Sequence, residues 1–260
     1  MVVYYENSRG EKLNLLKRPY RTVEADWFDA DWKDSTDGYE KTVSIDVFGD
    51  KLEFQQNMET LYRILSLDSE TGTYGRLYVN GSFLRCRVQT SKKSGWKGYV
   101  YSEVELTFYA PELSWIEVLS QSFYAQDEAV TVSGMDFEYD HDFDFTESKR
   151  GVASLEVDHG VASDFQMLIY GPCVNPKIII NDWTYEVKTT LESGEYILID
   201  SQECTITKYK SNGFAENIFN DRGYVQSVFE PIPSGMLLLN WSGLFGFDLT
   251  LFLKRREAKW

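Results

Sequence analysis

Apolar and polar residues alternate over most of this chain. The stretches KTVSIDVFG, GRLYVNGSFLRCRVQTS, KGYVYSEVELTFYA, KIIINDWTYEVKTT and GEYILIDSQECTITKY are rich in Val, Ile, Tyr, Thr and Phe, and Gly, Asn and Asp separate them. A period of two sends successive side chains to opposite faces, so these segments are predicted as half-buried β-strands. Asn181-Asp182 and Ser193-Gly194 carry residues suited to tight hairpin turns.

One segment breaks the period. Over residues 51–67, Phe54, Met58, Leu61, Tyr62 and Leu65 recur at three- and four-residue spacing, which predicts an amphipathic helix. Asp50 stands where a cap is needed, with Glu53 three residues on, and Gly72 lies beyond the end. The stretch PELSWIEVLSQSFY fits both patterns: its Leu113, Ile116, Leu119 and Phe123 suit a helix, its aromatics a strand.

The end of the chain, IPSGMLLLNWSGLFGFDLTLFLKRREAKW, holds its most apolar window, residues 236–253. A membrane-spanning helix needs about 20 mostly apolar residues, and Asn240, Ser242, Gly243, Gly246 and Asp248 interrupt this one. After WSGLFG the alternation places Phe247, Leu249, Leu251 and Leu253 on one strand face. The segment is therefore predicted as strand, turn and strand, a closing hairpin, with KRREAKW as a basic, exposed end. The whole pattern predicts a mainly β protein of two β domains: residues 1–130, with the one helix, and residues 131–260. The boundary is expected where large apolar residues thin out, in AQDEAVTVSGM.

Charge narrows the function classes. Of the net charge of −15, most comes from residues 24–40, with seven acids against Lys33, and residues 127–147, with eight acids and no Lys or Arg. Nucleic-acid reading needs a basic footprint that displaces counterions from phosphate, so sequence-specific binding of DNA is not expected. The three cysteines, Cys86, Cys173 and Cys204, are odd in number and widely spaced, which argues against a disulfide framework or a zinc site. The first residues lack an apolar run after a basic one, so no secretory signal is expected.

Candidate chemistry is sparse. In MDFEYDHDFDF, Asp136, Glu138, Asp140, Asp142 and Asp144 share one face of an extended strand and the aromatics share the other. Asp140, Asp142 and Asp144 imitate the opening of a calcium loop, but Phe145 replaces the turn glycine and Gly151 the bidentate Glu, so no metal site is expected. The chain has no H-E-x-x-H, G-x-S-x-G, P-loop or G-x-G-x-x-G motif. His141 and His159, its two histidines, suit core and turn positions. A pair of carboxylates at glycosidase separation is not readable from sequence. No enzyme activity and no cofactor are expected. Seven Trp and seventeen Tyr admit sugar stacking, although aromatics also fill β cores and subunit interfaces.

The second half resembles the distal tail protein family of siphophages and related prophages. The resemblance rests on DFDFTESKRG, SDFQMLIYGPCVNPKIIINDWTYEV, LESGEYILIDSQECTITKY, NGFAENIFN, FEPIPSGMLLLNWSG and KRREAKW, in that order. It is specific over residues 140–260 and weaker over the N-terminal half. It implies a non-enzymatic virion protein: an N-terminal β domain with one helix that closes into a hexameric ring around the tail lumen, and a C-terminal galectin-like β-sandwich. Such a ring joins the tail tube protein to the tail-tip hub or tail-lysin protein, adjoins the tape-measure protein and carries receptor-binding proteins. The protein would be made in the bacterial host cytoplasm and reside at the virion tail tip or baseplate, with no membrane insertion. An acidic wall repels DNA phosphate, so at least one of residues 24–40 and 127–147 is expected at the channel or its rim, with 24–40 favoured through Asp26, Asp29, Asp31 and Asp34. The alternative is a carbohydrate-binding β-sandwich module involved in host recognition.

Overall fold

The computed structural model describes residues 1–22, 26–126 and 151–259. The string MDFEYDHDFDF, His141, the acidic residues 127–147 and the side chain of Asp26 lie outside them. The described chain is mainly β with one α-helix, the class its alternation predicts, and PELSWIEVLSQSFY contributes a strand. It divides into two compact units, one comprising Met1–Glu117 with Lys254–Trp260 and the other Val118–Leu253.

The first unit holds β1 (Val3–Glu6), β2 (Lys12–Asn14), β3 (Tyr20–Thr22), β4 (Lys33–Ser35), β5 (Gly38–Phe48), α1 (Lys51–Thr71), β6 (Gly75–Val79), β7 (Ser82–Ser94) and β8 (Tyr101–Ala110). The strand β9 (Trp115–Phe123) begins here. Two antiparallel sheets share β7. Its first half pairs with β6 on one side and with the start of β9 on the other, in a sheet that runs on through β1 to β2. Between Val88 and Thr90 the register shifts, a β-bulge that bends the strand. The second half then pairs with β8, which pairs with β5. Both β3 and β4 lie along the far side of β5. The inward rows Val43, Ile45, Val47 and Val104, Leu106, Phe108 are buried in one core with Leu77, Leu84 and Trp115.

The helix covers this core for reasons visible in its ends. The Asp50 carboxylate accepts the amides of Leu52 and Glu53 at 3.0 Å, and Glu53 accepts the Asp50 amide at 3.3 Å, a capping box. At the other end Gly72 adopts φ 70°, a left-handed stop that extends α1 beyond the predicted residue 67. Phe54, Leu61, Ile64 and Leu65 are buried, whereas Tyr62, expected on that face, is 56% exposed.

Asp68, also buried, ties the helix to β1. Its carboxylate accepts the Tyr5 hydroxyl at 2.5 Å, the Ser8 amide at 3.1 Å and the Thr73 hydroxyl at 2.9 Å. Burial pushes its pKa up, but these donors outweigh burial and hold it below the ordinary carboxylate value.

The second unit is a β-sandwich. One sheet has the order β18 (Ala215–Asn217), β17 (Thr205–Tyr209), β16 (Tyr196–Asp200), β11 (Asp164–Tyr170) and β20 (Phe247–Arg255). The other has β10 (Gly151–Val157), β19 (Gly235–Trp241), β13 (Lys177–Ile180) and β14 (Trp183–Glu186). A small pair, β12 (Cys173–Val174) with β15 (Thr190–Leu191), completes it. Phe165 of the first sheet meets Tyr185 of the second edge to face at 5.3 Å, and Met167, Ile169, Ile197 and Ile199 face Ile178, Ile180, Leu237 and Leu239 in one core. Phe247, Leu249 and Leu251 are fully buried and Leu253 nearly so.

One expectation about the chain's end needs correction. The strands β19 and β20 are not a hairpin: β19 pairs with β10 and β13, while β20 pairs with β11 in the opposite sheet. The SGLFG connection carries the chain from one layer to the other, with Gly243 at φ 75°. The basic end is exposed at Lys254, Arg256, Glu257 and Lys259, and it is also anchored. Ala258 is buried in the first unit's core, the Lys259 amide bonds the Ser82 hydroxyl, and both Arg255 and Lys259 pair with Glu117.

Candidate functional site

The side of the β3/β4-β5-β8-β7 sheet that turns away from the core is the most distinctive surface of the first unit. Register settles what it carries. Thr42, Ser44 and Asp46 of β5 stand opposite Thr107, Glu105 and Glu103 of β8, and these stand opposite Thr90, Lys92 and Ser94 of β7. Directly opposed residues share a face, so apart from Lys92 the wall is hydroxyl and carboxylate. It is held by its own bonds: Thr42 to Thr107 at 3.1 Å, Lys92 to Glu105 at 3.0 Å and the Tyr101 hydroxyl to Asp46 at 2.7 Å. That last bond, with some burial, pushes the Tyr101 pKa up to about 12. Arg21, opposite Asp46, and Lys33, opposite Glu40, offset the acids. Sequence reasoning missed this wall, although the Thr, Ser, Asp and Glu of KTVSIDV and SEVELTF were its signal.

The acidic stretch flanks one end of the same sheet. Asp29, Asp31 and Asp34 are exposed, Asp34 within β4 and the other two ahead of it. What fixes them is Lys41, whose chain is buried beneath the sheet end and whose ammonium bonds the Asp29 carbonyl at 2.8 Å and the Asp31 carboxylate at 2.6 Å. The Lys41 hydrogen bond holds the Asp31 pKa below its ordinary value. At the other end of the sheet the β7–β8 turn is basic and aromatic: Trp96 is 60% and Tyr99 49% exposed, they meet edge to face, and Lys51 lies over Tyr99 and Lys97 over Tyr101.

Beside the second half of β7 runs a groove of about 400 Å³, walled by α1 (Met58, Tyr62, Leu65) and by Val88, Gln89 and Ser91. The second unit carries a larger cleft of about 1010 Å³, with Leu191, Trp241 and Phe245 at its base and Asn175, Glu192, Asn240 and Ser242 around it. It is poorly built for sugar stacking. Trp241 is 7% exposed, because its ring packs against Phe123 at 6.0 Å and Phe247 at 5.3 Å and its indole N–H is bonded to the Phe245 carbonyl. Among the described residues there is no cluster of His, Cys, Asp and Glu arranged to hold a metal ion, and no helix is long and apolar enough to cross a membrane.

No protein-family model and no curated protein matches the sequence. Solved structures match its fold. The SPP1 Dit (gp 19.1) protein, described as a paradigm of the hub adsorption apparatus in phages infecting Gram-positive hosts, aligns with 98% of this chain and 98% of its own at TM-score 0.54 and 12% identity. Chains of the phage P2 baseplate in its activated conformation align with 99% of this chain, with Ca over 100% of their own length (TM-score 0.55) and with Sr over 99% (TM-score 0.56), each at 11% identity. From end to end, this chain has the fold of phage Dit and baseplate proteins.

Proposed function

We propose that this chain is the distal tail protein of a siphophage or prophage, a structural component of the tail tip without catalytic activity. The observation that carries the reading is the alignment over nearly the whole of both chains with a Dit protein and with baseplate chains, units of both kinds included. In this reading copies of the chain, six to a ring, join through the first unit around the tail lumen. The polar wall of the β3/β4-β5-β8-β7 sheet faces that lumen, and Asp29 and Asp31, with Asp26, stand at its rim. A wall of hydroxyls with acids and bases nearly in balance, rimmed by carboxylates, gives phosphate little to bind.

The second unit, a galectin-like sandwich in this reading, is a platform for receptor-binding or baseplate proteins. The ring's ends meet the tail tube protein and the tail-tip hub or tail-lysin protein. The label concerns fold and carries no sugar binding with it; the packed Trp241 favours this reading over a carbohydrate-binding module. Gold-labelled antibody against the chain, applied to intact virions, tests the proposal. Gold at the tail tip is the expected result; gold on the head or along the tube, or none on virions that carry the protein, would overturn it.

A further inference from the structure

The other sheet of the first unit, β2-β1-β6-β7-β9, turns a basic face away from the core, although the chain as a whole carries a net charge of −15. Side chains alternate along its strands, so Leu77 and Val79 of β6 and Leu84 and Cys86 of β7 enter the core and the residues between them point out. Register then sets two rows. Tyr4, Tyr78, Phe83 and Ile116 stand side by side across β1, β6, β7 and β9. Beside them Arg76 stands directly opposite Arg85, with Arg87 two residues on. Each cation lies over a ring: Arg76 over Phe83 at 5.0 Å, Arg85 and Arg87 over Tyr74 at 5.0 and 5.2 Å, and Lys12 over Tyr4 at 5.3 Å. Lys12 also pairs with Glu6 at 3.6 Å, but among the described residues no carboxylate pairs with Arg76, Arg85 or Arg87.

Like charges directly opposed across a ladder destabilise it, so the Arg76–Arg85 pair is a cost to the isolated chain that carboxylates from outside would remove. We propose that this face docks an acidic protein surface, one that presents carboxylates among apolar side chains. The arrangement of the cations favours carboxylate: a guanidinium held over a ring keeps its in-plane N–H fork free for bidentate bonds. The half-buried row Tyr4, Tyr78, Phe83 and Ile116 supplies apolar area beside the forks, and Tyr together with Arg is the composition of protein-binding hot spots. The ring faces themselves are taken, since Tyr4 and Tyr78 stack on each other at 4.5 Å and 10°, and cations cover Phe83 and Tyr74. Bases of a single-stranded nucleic acid stack on free ring faces, so this face serves them poorly. The same face of a second copy is excluded as well, because a self-complementary contact would set Arg against Arg.

The face is complete within one copy and takes its partner whether or not copies close into a ring, so the purified full chain serves for the test. The probe is a fluorescently labelled random copolymer of glutamate and tyrosine, its binding read by anisotropy at low salt, with labelled oligothymidylate as the phosphate control. The parent should bind the copolymer more tightly than the oligonucleotide, and Arg85→Gln together with Arg87→Gln should weaken that binding roughly tenfold or more. Arg85→Lys together with Arg87→Lys keeps the charge but not the planar fork and should fall between the two. Thermal melting checks the fold, and Arg76→Gln, exposed on the same face, takes the place of the Gln pair if that pair does not fold. A copolymer that does not bind, that binds the Gln variants as well as the parent, or that binds less tightly than oligothymidylate overturns the proposal. So does light scattering in which the parent assembles and the folded Gln variants do not, since that places the face between copies of the chain.

Discussion

Removing the Asp68 carboxylate should loosen the first unit more than any other single polar change. Asp68→Ala removes the acceptor of the Ser8 amide and leaves the Tyr5 hydroxyl only the Cys86 carbonyl at 3.5 Å, while the Thr73 hydroxyl keeps the Thr71 and Ser8 hydroxyls as partners. An orphaned buried donor costs about 1–3 kcal/mol. Only Tyr5 is fully cut off from water, while Ser8 and Thr73 are exposed, so the range applies to Tyr5 with little added by the other two, about 2–3 kcal/mol in all. Against a net domain stability of roughly 5–15 kcal/mol, this lowers the melting temperature by about 2–8 °C per kcal/mol. Asp68→Asn should cost less, because its amide oxygen still accepts and the Tyr5 hydroxyl can turn to accept from its NH₂.

The same pair yields a pH signature. The folded pKa of Asp68 is depressed, so its ionised form adds stability that is fully present above the unfolded value of about 3.9 and is lost as pH falls below it. Urea titrations of the parent and Asp68→Asn should show a gap at neutral pH that closes in acid. A cost below about 1 kcal/mol for Asp68→Ala, or a gap that persists unchanged below pH 4, would refute the reasoning.

Other consequences follow from the same geometry. Leu249→Ala should destabilise the second unit by about 2–5 kcal/mol, read as a lower urea midpoint, since Leu249 is fully buried in the middle of β20. Gly151→Val should disturb the same core from the other sheet: a Cβ there would stand 2.2 Å from the Trp241 ring, so Trp fluorescence should shift to the red and the midpoint fall. Replacing Asp26 and Asp29 by Lys leaves the Lys41–Asp31 pair and the β4 edge in place. In an assembling phage it should slow DNA ejection at low salt and recover at high salt, whereas ejection independent of salt would remove these acids from the rim.

Much of the fold was legible because alternation and helical spacing are local. The capping box at Asp50 and Glu53 and the buried row Phe247, Leu249, Leu251 and Leu253 each follow from a few neighbouring residues. Partnership is not local. Alternation states which side chains share a face, not which strand lies beside it, so β19 and β20 read as a hairpin although they belong to opposite layers. For the same reason the sequence did not announce that β7 serves two sheets, that Glu117 and Ser82 capture the end of the chain, or that Thr42, Thr107, Asp46 and Glu103 form one wall. Asp68 was hidden differently. An acid near a helix C-terminus is unfavourable to the helix dipole, and only Tyr5, Ser8 and Thr73, brought together by the fold, explain it.

The central claim is that copies of this chain form a ring through the first unit. Single-particle electron microscopy of the purified, assembled chain tests it most directly. The account predicts a closed ring, six copies around one axis, with Thr42 and Thr107 facing the opening. Particles that stay single at every concentration, or a ring with the second unit lining the opening, would contradict it.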